Sequence, residues 1–120
     1  MEQDDYNSNI LYRHIIANSL FTNRQIDIIS KRLVDGGAIE NISSGAYYRQ
    51  VKQCKNKIIR LLYSIALLNS MDALDEETFK ILERMTSQLK VILYQKTGDN
   101  SKVQDVMSVI DQLIKRMSRV

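Results

Sequence analysis

The cationic side chains between residues 43 and 62 are the group in this 120-residue sequence most suited to binding chemistry. The five cations are Arg49, Lys52, Lys55, Lys57 and Arg60, and no carboxylate lies among them. Elsewhere, residues 1–40 hold four basic and six acidic side chains, and residues 72–120 hold eight of each. The net charge of +3 therefore comes from one segment, and a local excess of positive charge attracts polyanions.

A helical projection of this segment separates an apolar side from a polar one. At about 100° per residue, Tyr47, Val51, Cys54 and Ile58 fall on the side expected to be buried. Arg, Lys, Asn and Gln on the other side are residue types that bind phosphates and base edges. The segment therefore predicts a nucleic-acid-binding surface, for which the candidate residues are Tyr48, Arg49, Lys52, Gln53, Lys55, Asn56, Lys57 and Arg60.

Catalytic and metal-binding residues are sparse. His14 and Cys54 are the single histidine and the single cysteine, and no motif surrounds either of them. Carboxylates cluster at residues 72–77, but acidic residues are common at the start of a helix. Neither GxxxxGK[ST] nor GxGxxG occurs. We therefore expect a protein that is not an enzyme and that has no cofactor and no metal site.

Length and composition favour one folded domain over residues 1–120, with residues 1–7 as a short tail. No run of eighteen apolar residues occurs, so no membrane partner is expected. The polar, acidic N-terminus differs from a signal peptide, and a lone cysteine cannot form an internal disulfide. These features predict a cytoplasmic protein.

The absence of proline, the four glycines and the period-3.6 patterns predict an all-α fold of about five helices. A first helix is expected from about Ser8 to Phe21, with Ile10, Leu11, Ile15 and Leu20 on one side. Thr22 and Gln25 have the spacing of a capping box. They open a helix with an apolar stripe of Ile26, Ile29 and Leu33, and Asp35-Gly36-Gly37 is expected to end it.

The basic segment begins a long helix over about 44–70. From Tyr47 to Leu68 its apolar residues recur at spacings of four and three, and after Leu62 it is apolar almost all round, which predicts burial of this second half. Residues 72–120 are expected to form an antiparallel helix pair. Its signals are an Asp75 N-cap with a Leu74–Phe79 staple, a Thr97-Gly98 end and a Ser101 capping box. Inward positions of the last helix are Val103, Val106, Met107, Ile110, Leu113, Ile114 and Met117.

A family resemblance covers residues 21–62. "FTNRQIDIISKRLVDGG" resembles the "LTxRExEVLxLLxxG" opening of helix-turn-helix domains of the LuxR and sigma-factor region 4 type. "ISSGAYYRQVKQCKNKI" is similar to the "ISxxTVxxHxxxIxxKL" segment that ends them, and the pair also resembles small archaeal helix-turn-helix regulators. The resemblance implies a recognition helix at 44–60, with base-contacting roles for Ser44, Tyr48, Arg49 and Lys52.

The sequence departs from that family before the recognition helix. The family places a short helix, "xxEIAxxL", where this sequence has "GGAIENIS". Either this helix is reduced to one turn around Ile39 and Ile42, or residues 22–34 take its place with a long turn.

We therefore expect a small DNA-binding transcriptional regulator or chromatin-associated factor that forms a homodimer. Two linked half-sites bind more tightly than one, and the apolar excess of residues 58–68 predicts a shared surface. RNA is an alternative partner, because Tyr48 and the cations also suit single strands. A non-catalytic helical adaptor or regulatory subunit, whose charged face is only solvated, is the alternative function.

Overall fold

The computed structural model describes residues 10–34, 42–94, 100–118 and 120, of which residues 92–94 and 100–102 are described by their backbone alone. These residues confirm the all-α class, and no strand occurs among them. The five helices they contain are α1 (Ile10–Ala17), α2 (Asn23–Val34), α3 (Ser44–Ser70), α4 (Glu76–Tyr94) and α5 (Asn100–Met117). The chain divides into two compact units, 1–61 and 62–120, and α3 begins in the first and ends in the second.

Helix α1 ends at Ala17, four residues before the predicted end. The Asn18 side-chain amide donates to the carbonyl of His14 at 2.9 Å, and the Ser19 hydroxyl donates to the carbonyl of Ile16 at 2.8 Å. These bonds satisfy carbonyls that another helical turn would use. The predicted apolar side was also wrong in part, because Leu11 and Ile16 are the buried residues of this helix.

The predicted capping box at the start of α2 is confirmed. The Gln25 amide N–H donates to Thr22 Oγ1, and the Thr22 amide N–H donates to Gln25 Oε1, both at 3.1 Å. The predicted stripe was wrong at Leu33, which is 82% exposed, whereas Ile28 is 1% exposed. The predicted end at Asp35-Gly36-Gly37 lies outside the described residues.

Helix α3 has the predicted bounds, and its first half supplies most of the core of the first unit. Ser43 is its N-cap, since its hydroxyl oxygen accepts the Ala46 amide at 3.2 Å. Three α3 side chains meet Ile28 of α2 in one buried cluster, against which Ile29 and Ile42 pack. These three are Tyr47, Val51 and Cys54. Ile42 lies at a bend, and Ile39 lies outside the described residues.

The second half of α3 is exposed where the sequence predicted burial. Leu62, Tyr63 and Leu67 are 59%, 76% and 60% exposed. Its composition suits burial, but a helix side is buried only where other elements cover it. Among the described residues, none covers these three side chains in that way.

Helices α4 and α5 belong to the second unit. Asp75 caps α4 as predicted, because its Oδ1 accepts both the Thr78 amide and the Thr78 hydroxyl at 2.9 Å. Buried residues here include Thr78, Met85 and Ile110. Within α5, the predicted inward position Ile114 is 48% exposed, which corrects that assignment.

The boundary between α4 and α5 leaves several expectations untested. The predicted Thr97-Gly98 end lies outside the described residues, as does the side chain of Ser101. Helix α5 already includes Asn100, so its start precedes the predicted one by a residue. The antiparallel pairing of the two helices stays a prediction.

None of the helices in the described ranges is both long enough and apolar enough to cross a membrane. This finding agrees with the expectation, from the sequence, of no spanning segment.

The turn after α3 contains the one described residue other than glycine with a positive φ, Asp72 at 61°. The Ala73 amide donates to the Leu68 carbonyl at 2.9 Å, and the Asp72 amide donates to the Asn69 carbonyl at 3.1 Å. This pair of bonds is the Schellman motif, whose left-handed position favours glycine. The turn therefore carries backbone strain at Asp72.

We expect Asp72→Gly to raise the free energy of unfolding by about 0.5–1 kcal/mol, because glycine adopts this φ without a Cβ clash. Asp72→Val should lower it by more than about 1 kcal/mol, because a branched side chain disfavours positive φ. Urea denaturation measures both variants. Asp72→Asn keeps the side-chain shape and controls for the charge. Equal stability of the glycine and valine variants would contradict the assignment.

Candidate nucleic-acid interface

The cap at Ser43 sets where α3 begins and therefore which residues its first turns present. Ser44 and Gly45 follow the cap directly, and both are exposed. A Cβ built on Gly45 would meet no atom within 4 Å, so the backbone here is open to an approaching molecule. Since the cluster of Tyr47, Val51 and Cys54 holds the opposite side of the helix, the outward side is fixed by packing.

Most of the residues predicted for the surface lie together on this outward side. The exposed ones are Ser44, Tyr48, Arg49, Lys52, Gln53, Lys55, Asn56 and Arg60. Within the described ranges, Arg49, Lys52 and Lys55 form no ion pair. These three cations at three-residue spacing thus form one positive surface, hereafter the basic face, with Arg60 further along the helix.

Tyr48 stands at the edge of the basic face. Its ring is 62% exposed and meets the buried Tyr47 ring edge to face, with centroids 5.4 Å apart and planes at 71°. This contact links the exposed ring to the buried cluster. Tyr48 is therefore placed to contact a ligand bound along the basic face.

Lys57 differs from the other predicted site residues because its ammonium group points to the protein. Lys57 Nζ donates to the Leu20 carbonyl at 2.7 Å and to Gln25 Oε1 at 2.8 Å. It also lies 5.8 Å from the centroid of the Phe21 ring. Its ammonium joins α3 to the α1–α2 turn, so a phosphate would have to compete with these contacts.

Gln25 is the buried polar residue that receives Lys57. It is 4% exposed, and its Oε1 accepts from both the Thr22 amide and Lys57. Its backbone carbonyl also lies 3.8 Å from Cys54 Sγ, with the thiol as donor. Gln25 of α2 is thereby bonded to Lys57 and Cys54 of α3, which are distant from it in sequence.

Cys54 is a buried thiol, 4% exposed. Burial raises its pKa above the ordinary value, and the charge of Lys57 acts in the opposite direction. The neutral thiol is therefore favoured, which fits a donor to the Gln25 carbonyl. This environment is that of a packed side chain and does not activate a nucleophile.

The sequence analysis did not identify two features that position the basic face, the Ser43 cap and the Lys57–Gln25 hydrogen bond. Ser43 precedes the apolar pattern of α3 directly, which is a recognised helix-start signal. The Lys57–Gln25 contact spans 32 residues and has no local signal. Capping boxes predict bonds within one turn, so they could not indicate that Gln25 also binds a lysine.

Metal-binding chemistry has no support in the described ranges, where no group of three or more His, Cys, Asp or Glu side chains could hold an ion. Comparison with protein-family models, with curated proteins and with solved structures gives no match for this chain. The helix-turn-helix resemblance therefore rests on the sequence patterns alone.

We expect Gln25→Ala to lower the free energy of unfolding by about 1–3 kcal/mol, because it removes the acceptor shared by Thr22 and Lys57. Gln25→Glu keeps an acceptor at that position and adds a charge that pairs with Lys57, so its loss should be smaller than that of Gln25→Ala. Thermal and urea denaturation measure both variants.

The matched control is Gln53→Ala, since Gln53 is an exposed glutamine on α3. This change should alter stability by no more than about 0.5 kcal/mol. Equal losses for Gln25→Ala and Gln53→Ala would contradict a linking role for Gln25.

Proposed function

We propose that this protein binds double-stranded DNA through the first half of α3. On this proposal it is a small helix-turn-helix-like transcriptional regulator or chromatin-associated factor. The observation that carries the proposal is the row of Arg49, Lys52 and Lys55, which is exposed and forms no ion pair within the described residues. The sequence also has no acidic residue between Glu40 and Asp72 to neutralise them.

The buried cluster beneath the basic face is consistent with α3 acting as a recognition helix for DNA. A recognition helix must present its outer side while its inner side rests on the preceding helix. Here Tyr47, Val51 and Cys54 pack with Ile28 of α2. The backbone that carries the exposed cations is thus held by a buried cluster. The helix therefore loses little backbone freedom when it binds a ligand.

The polar residues of the basic face support readout of bases as well as phosphates. Arg and Lys bind guanine edges, and Asn and Gln bind adenine edges in the major groove. Arg49, Lys52, Gln53 and Asn56 supply these groups. Gly45 would allow the backbone to come close to a phosphate, because no neighbouring atom occupies the space beside it.

A homodimer is part of the proposal. Tyr63 and Leu67 of α3 are exposed and four residues apart, so they share one side of the helix. An exposed apolar group of this kind marks an interaction surface. A second copy of the chain would bury these residues and supply a second basic face. Another protein, as in the adaptor alternative, would use the same residues.

We expect a log–log salt slope for duplex binding of about −3 to −4 per chain, because three or four of the exposed cations would replace counterions. Lys55→Ala should flatten this slope by about one unit per chain. Electrophoretic mobility shift and fluorescence anisotropy measure this slope. Both use short duplexes at salt concentrations from about 50 to about 300 mM.

Lys57→Ala is the matched control, since it removes the same charge from the same helix. Because Lys57 is bound to Leu20 and Gln25, its removal should lower stability and leave the slope nearly unchanged. Equal flattening by both variants would show that Lys57 also contacts phosphate. Duplex binding that resists both salt and the double change Arg49→Ala/Lys52→Ala would exclude DNA binding through the basic face.

We expect a dimer in sedimentation velocity at tens of micromolar protein, and Tyr63→Glu or Leu67→Glu should weaken it by about 10- to 100-fold. Both residues are exposed, so the variants should still fold, which circular dichroism checks. Gln88→Glu adds the same charge at an exposed position of α4 and should leave the dimer intact. A wild-type monomer at all concentrations would exclude the dimer and favour the adaptor alternative.

A further inference from the structure

We draw no further inference here: the strongest candidate, the small and largely aliphatic cleft between α2 and α3, carries none because nothing in the structure shows what covers it.

Discussion

The hydrogen bonds at Gln25 are the constraint on which the first unit depends. One side-chain oxygen accepts from the Thr22 amide, which starts α2, and from Lys57, which belongs to α3. Lys57 also binds the Leu20 carbonyl, so the turn after α1 is held by the same ammonium group. A buried polar side chain is tolerated only when such partners satisfy it. These bonds therefore join α2, the turn that precedes it and the first half of α3.

This constraint also determines the electrostatics of the outer side of α3. Because Lys57 turns inward, the positive surface consists of Arg49, Lys52 and Lys55, with Arg60 beyond them. A cation that is hydrogen-bonded to the protein attracts a polyanion less effectively than one in solvent at the same position. The difference between Lys55 and Lys57, two residues apart on one helix, therefore comes from tertiary contacts and not from residue type.

Helices α2 and α3 have two different kinds of apolar surface. Between them lies a small cleft whose walls are largely aliphatic. On the second half of α3, Leu62 and Tyr63 are exposed on a convex helix, which suits a flat protein surface. Burial of an apolar side chain contributes about 1.5–3 kcal/mol, so a partner that covered these residues would gain stability from them.

The sequence by itself determined the helical class, the capping box of α2, the Asp75 cap and the bounds of α3, because these depend on residues within a few positions of one another. It also located the segment of excess positive charge. Only the tertiary structure decided that Lys57 binds Gln25, that Leu33 is exposed while Ile28 is buried, and that Leu62, Tyr63 and Leu67 of α3 are exposed. Periodicity shows which side of a helix is apolar, but the neighbours that cover it come from distant parts of the chain.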